Sequence, residues 1–195
     1  HVLARWSSWG AIPEVFDNAK SERAGERTEL RELLSDSEWD AAARTTINAH
    51  YTDPAIARQM WRALGALGLD SGQVLEPGSG AGTFIGLAPE QAQVTGVELD
   101  PITAAISHGL YPHATIRAES FADTRLPEGH FDAAIGNVPF ANVRLHDPVH
   151  NPTGQSMHNH FILKSLHLVR PGGLVAVLTS HYTMDAQNPG ARREM

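Results

Sequence analysis

The stretch Gln73-Val74-Leu75-Glu76-Pro77-Gly78-Ser79-Gly80-Ala81-Gly82 decides the fold. A short apolar run that breaks at once into a glycine-rich turn reads as a buried strand followed by a tight connection. Val94-Thr95-Gly96-Val97-Glu98 is a second strand, closed by Asp100-Pro101, an acidic cap with proline at the first helical position. Residues 114–117 and 131–135 read as a third and a fourth strand. A helix over 161–169, the turn Pro171-Gly172-Gly173 and an apolar fifth strand over 174–178 follow. Strands alternating with helices predict an α/β fold, a parallel-type sheet flanked by helices.

Upstream of this region, residues 1–50 read as a helical extension, with apolar Leu30, Leu33, Leu34 and Trp39 broken by charge. Asp53-Pro54 is another cap-and-proline start. The stripe Ile56, Met60, Trp61 and Leu64 behind it recurs at helical spacing and is expected to face the core. Trp6, Trp9 and Trp61 are read as core residues. The chain divides into this extension and a main domain over 51–195. It starts at His1 and stops soon after the fifth strand, as a piece of a longer protein would.

Composition narrows the chemistry. The 195 residues are 42% hydrophobic and 19% charged, the balance of a globular domain. No apolar run approaches membrane-spanning length and no secretion signal opens the chain, which suits a cytoplasmic protein. With no cysteine, disulfides, thiolate metal sites and cysteine nucleophiles are excluded. A net charge of −7 is the wrong sign for gripping nucleic acid unaided. Contact with DNA would need a local patch or an adjoining module.

In doubly wound sheets ligands sit beyond the carboxyl ends of the strands, and the glycine turn lies at the first such end. Its spacing is G-x-G-x-G, not the G-x-G-x-x-G of dinucleotide sites, and no P-loop lysine follows. Glu98, ending the second strand, is placed to accept ribose hydroxyls. Turn, acid and strand order together resemble the Rossmann-like class I methyltransferases, which bind S-adenosylmethionine. The resemblance implies that Glu76, Pro77, Gly78, Gly80 and Gly82 cradle the methionine part of the cofactor and that Glu98 holds its ribose. It further implies that Glu119 binds the adenine amino group and that Phe121 packs on the adenine.

Asn137-Val138-Pro139-Phe140 ends the fourth strand at the same rim. The amino nitrogen of adenine is a poor nucleophile, because its lone pair is delocalised into the ring. An oxygen of Asn137 and the carbonyl of Val138 could accept its two hydrogens, while Phe140 stacks on a base swung out of the helix. The tetrad resembles the Asn/Asp-Pro-Pro-Tyr motif of amino-methyltransferases. It departs with Val138 for the first proline and Phe140 for tyrosine, a form also seen in adenine dimethylases of ribosomal RNA. Tyr51-Thr52 before Asp53-Pro54 resembles an element of DNA adenine methylases that touches the carboxylate end of the cofactor.

The resemblance extends over nearly the whole chain. Arg5-Trp6-Ser7-Ser8-Trp9-Gly10, His50-Tyr51-Thr52, the tetrad, His158-Asn159-His160-Phe161 and Thr179-Ser180-His181-Tyr182-Thr183-Met184-Asp185 are similar to the methylase region of large methylase–helicase proteins of phages, plasmids and conjugative elements. That implies adenine methylation in DNA, helicase modules in the same parent chain and target recognition after the catalytic core. An RNA adenine, a protein glutamine amide, or a degenerate module that only binds cofactor or DNA are the other readings. His146, His150, His158 and His160 cluster, but no acid at metal-ligand spacing accompanies them. Residues 141–155 read as a loop that closes over substrate.

Overall fold

The structure is a computed structural model that describes residues 6, 9–46, 52–141, 143–187 and 189–195. Helices α1 (Ala24–Leu33), α2 (Asp36–Thr45) and α3 (Pro54–Ala66) precede the first strand. Five strands follow, β1 (Gly72–Pro77), β2 (Ala92–Glu98), β3 (Thr115–Ala118), β4 (Phe131–Asn137) and β5 (Val169–Leu178). Helix α4 (Pro101–Leu110) joins β2 to β3, and α5 (Met157–Leu168) joins β4 to β5. Short helices α6 (Tyr182–Asp185) and α7 (Gly190–Glu194) close the chain. Among these residues no helix is long and apolar enough to cross a membrane.

All strand pairs are parallel, in the order β3-β2-β1-β4-β5. The apolar content of the central strands explains why the sheet is covered on both faces. Val74 and Leu75 are adjacent in β1 and point to opposite sides. Val74 packs with Trp61, Leu64, Val94 and Ile135, whereas Leu75 packs with Val97, Phe121, Ala134, Phe161 and Leu168. Because β1 pairs with β2 on one side and β4 on the other, a crevice opens at the carboxyl ends where the winding reverses.

Local chemistry sets the helix starts. Asp53 caps α3 by accepting from the Ala55 N–H at 2.7 Å, and Asp100 caps α4 by accepting from Thr103 N–H at 3.2 Å. Ser35 and Glu38 form a reciprocal capping box that starts α2.

Several expectations need correcting. Of the α3 stripe, Ile56 is exposed and Ala57 takes its buried place, since Ala57 lies on the side of Trp61 and Leu64. The extension is helical as expected, in α1 and α2, and of its apolar positions Trp39 is buried whereas Leu33 is 73% exposed. Helix α5 begins at Met157, a turn before Phe161, because His158, Asn159 and His160 are buried in it. The Pro171-Gly172-Gly173 turn does not precede β5 but swells out of it: Phe131 pairs with Val169, then Ala133 with Leu174. A Cβ on Gly173 would lie 2.6 Å from the Asp132 carbonyl oxygen, so only glycine lets this bulge fold back.

Candidate functional site

A cleft opens at the carboxyl ends of β1, β2 and β4. The glycine turn forms one wall. Gly78 and Ser79 donate their N–H groups to the Val97 carbonyl at 2.8 and 2.9 Å, which folds the turn back over β2. Glu98 then fixes its crest: Oε2 accepts from Gly80 N–H at 2.9 Å and Oε1 from Asp100 N–H at 2.8 Å. Each carboxylate oxygen retains lone-pair capacity, so Glu98 can shape the turn and still accept from a ligand.

Glu76 lies beneath the turn at 2% exposure. It accepts from the Ile85 N–H, while its Oε2 is buried without a partner. Burial raises its pKa well above the usual carboxylate range, and the neighbouring Glu98 charge adds to this. Burial likewise raises Glu98, against the backbone N–H bonds it accepts. Two buried carboxylates in one cleft favour a ligand that brings positive charge and hydrogen-bond donors.

Of the expected cofactor residues, Thr52, Glu76, Gly78, Gly80, Glu98, Glu119 and Phe121 line this cleft, and so do Asn137 and Pro139. The two sets of residues therefore share one opening. Tyr51 lies outside the described residues. Pro77, Gly82, Val138 and Phe140 do not line it. Gly82 also serves packing: a Cβ there would meet Tyr111 at 2.7 Å and Ser107 Oγ at 2.8 Å, so the third glycine lets α4 and its C-terminal Tyr111 approach the turn. The Val138 side chain is buried, and its N–H is held by the Leu178 carbonyl at 3.1 Å, which fixes the backbone of the tetrad. Phe140 packs at the edge of the core. Phe121, although it reaches the cleft, is a core ring 4.8 Å from Phe161. Glu119 is engaged by Arg117.

This sheet order, with the glycine turn after the central strand and acids after the next two, is a known architecture. The fold is that of the class I methyltransferases. The type I restriction-modification methyltransferase subunit of Streptococcus thermophilus superposes on 75% of this chain and 38% of its own, with a TM-score of 0.61 and 14% identity. In sequence, the chain is 30% identical to the type II methyltransferase M.XamI of Xanthomonas campestris pv. amaranthicola over 208 aligned positions, 93% of this chain. It is 26% identical to the defense against restriction protein B of Escherichia phage P1 over 164 positions, 82% of this chain. It spans only 38% and 7% of the lengths of these two relatives. No family profile matches the chain.

Other residues at the site carried no signal strong enough to single them out. Arg44 and Thr45 of α2 line the cleft, as does Thr103 of α4. The capping box Ser35-x-x-Glu38 was legible and would have placed Arg44 in the last turn of a helix, but nothing local said where that helix packs. The opening tryptophans cover the site's flank: Trp6 donates to Thr103 Oγ1 at 2.9 Å and Trp9 to Asp100 Oδ2 at 3.0 Å. Trp9 and Trp61 are buried, and Trp6 is half-buried.

The stretch after the tetrad, expected as a loop closing over substrate, is tethered. Asp147 is buried and accepts from Lys164 Nζ at 3.0 Å and His160 Nε2 at 3.1 Å. Lys164, itself fully buried, also donates to the carbonyls of Phe121, Ala122 and Thr124 at 2.6–3.1 Å. Asn151 bonds the backbone of Leu145 and Gln155. His160, His150 and their acid therefore form a structural knot. Burial lowers the pKa of His160, so a neutral ring donates from Nε2 to the carboxylate.

Proposed function

We propose that this chain is the catalytic part of an S-adenosylmethionine-dependent methyltransferase that acts on the exocyclic amino group of adenine in DNA. The observation that carries the reading is the meeting of Glu76, Glu98 and Asn137 in one cleft at the switch point of a methyltransferase fold. The 30% identity to the type II methyltransferase M.XamI supports a DNA acceptor.

The residues fit the cofactor. The unpartnered Glu76 oxygen and the Glu98 carboxylate suit its ammonium and ribose hydroxyls. Gly78 holds φ +71°, which L side chains rarely adopt, and a Cβ there would project towards Phe161 and Pro139, two residues that line the cleft. When bound, S-adenosylmethionine supplies a methyl group activated by its sulfonium charge. Asn137 Oδ1 and the Val138 carbonyl then hold the two hydrogens of the target amine, which turns its nitrogen towards that methyl. Phe140, half-buried at the edge of the core beside the cleft, would offer its remaining exposed face to a base taken out of the stack. The protein's contribution is orientation and electrostatics, with no covalent enzyme intermediate. Helicase modules in the parent chain would open the duplex for this site.

The test is transfer of labelled methyl groups to DNA, RNA and protein, followed by nucleoside analysis. N6-methyladenine in DNA is the expected product. Label in cytosine, RNA or protein alone would refute the assignment.

A further inference from the structure

Arg44 stands in the last turn of α2, with Thr45 beside it, and lines the same cleft as Glu76 and Thr52. It is exposed, and no hydrogen bond or ion pair engages it among the described residues. Arg117, by contrast, is taken up by Glu119. The remaining charged lining is acidic: Glu76, Glu98 and Glu119. A ligand suited to this lining carries both signs, with cationic or donor groups for the glutamates and an anionic group for the guanidinium. The buried, unpartnered Oε2 of Glu76 independently marks where a donor is wanted. The amino-acid end of S-adenosylmethionine has that pairing, an α-ammonium beside an α-carboxylate.

We infer that Arg44 binds the α-carboxylate of the cofactor while Glu76 receives its α-ammonium. The inference rests on the reading of the cleft as a cofactor site. Arginine suits the task, since its planar fork can meet both carboxylate oxygens at once. A consequence is that the helical extension is part of the cofactor site: α2 supplies one charge of a zwitterion's cradle and β1 the other.

The experiment compares S-adenosylmethionine with its decarboxylated form, which lacks only the carboxylate, by calorimetry on the 195-residue chain. Arg44→Met keeps most of the side-chain stem. It is expected to weaken S-adenosylmethionine by about tenfold or more, the scale of one charge-assisted contact, while decarboxylated cofactor changes by less than about twofold. Arg44→Lys should recover part of the loss. Equal weakening of both ligands would place Arg44 at the nucleoside end or in the fold, and an unchanged affinity for both would free it of any role; either overturns the inference. A wild-type chain that binds neither ligand overturns the cofactor reading itself. A wild-type chain that binds both equally well leaves that reading intact and removes the carboxylate contact.

Discussion

Glu76 presents a buried, unsatisfied oxygen to a cleft that it shares with a second carboxylate, and this conflict is the chemical signature of the site. Its folded pKa lies above the unfolded one, chiefly from burial. As pH rises through the ordinary carboxylate range the unfolded chain loses this proton first, so the folded state loses stability until Glu76 itself ionises. Glu76→Gln should therefore raise the melting temperature at neutral pH, with a gain that shrinks as pH falls through about 4 and vanishes below it, where both states are protonated. The same change should weaken cofactor binding. Thermal melts across pH decide the first half: a variant less stable than wild type at neutral pH would show that the carboxylate is not strained. Under the proposed function Asn137 acts on the target amine rather than on the cofactor. Asn137→Ala should lower turnover by about a hundredfold or more with cofactor affinity unchanged, the usual effect of losing one aligned acceptor. Turnover at the wild-type rate would reduce the tetrad to a turn.

At the scale of elements, α5 does more than cover the sheet. Through Lys164 it ties the segment after β3, at Phe121, Ala122 and Thr124, to the segment after β4, at Asp147. Both segments border the cleft, through Phe121 and Leu145. Burial opposes the charge on Asp147, yet the His150 N–H, Lys164 and His160 together hold its carboxyl below the usual range. Removing the ammonium strands that carboxylate. Lys164→Met should cost about 3–5 kcal/mol, and the double change Lys164→Met, Asp147→Leu should recover much of it, because an apolar pair needs no counter-charge. Denaturant unfolding of both variants tests this, and a double variant no more stable than the single one would exclude a charge origin. The knot also shows where sequence reading stopped. Strands β1, β2 and β4 were legible because their apolar runs end in glycine, aspartate-proline or the tetrad, all local signals. The helix expected over 161–169 is too short at its start, because the partner that lets His160 be buried, Asp147, lies outside any local window. Gly82 was legible as a glycine the turn requires, but not as one that faces Tyr111 of the next unit. Arg44 was missed for the same reason: its place depends on how α2 packs near α4, which no local pattern encodes.

For the whole molecule the decisive quantity is charge. The chain carries a formal net charge of −7, and the cleft is lined by three acidic residues, Glu76, Glu98 and Glu119, against the one exposed cation Arg44 that no acid engages among the described residues. Duplex DNA is held largely by phosphate neutralisation, and swinging a base out of the stack costs a few kcal/mol more. A cleft that suits a cationic cofactor is thus a poor surface for a polyanion. Under the proposed function, cofactor and duplex DNA would need separate surfaces. The 195-residue chain is expected to bind S-adenosylmethionine well but to bind duplex DNA only weakly, with Kd no tighter than about 10 μM at physiological salt, the range of unspecific contacts. Fluorescence anisotropy with a labelled duplex, repeated across salt concentrations with and without cofactor, measures both terms. Submicromolar binding with a steep salt slope would mean that these residues hold a basic patch strong enough to overcome the net charge. Submicromolar binding with a shallow slope would point instead to base contacts made at the Asn137 rim, and would move target recognition into the catalytic core.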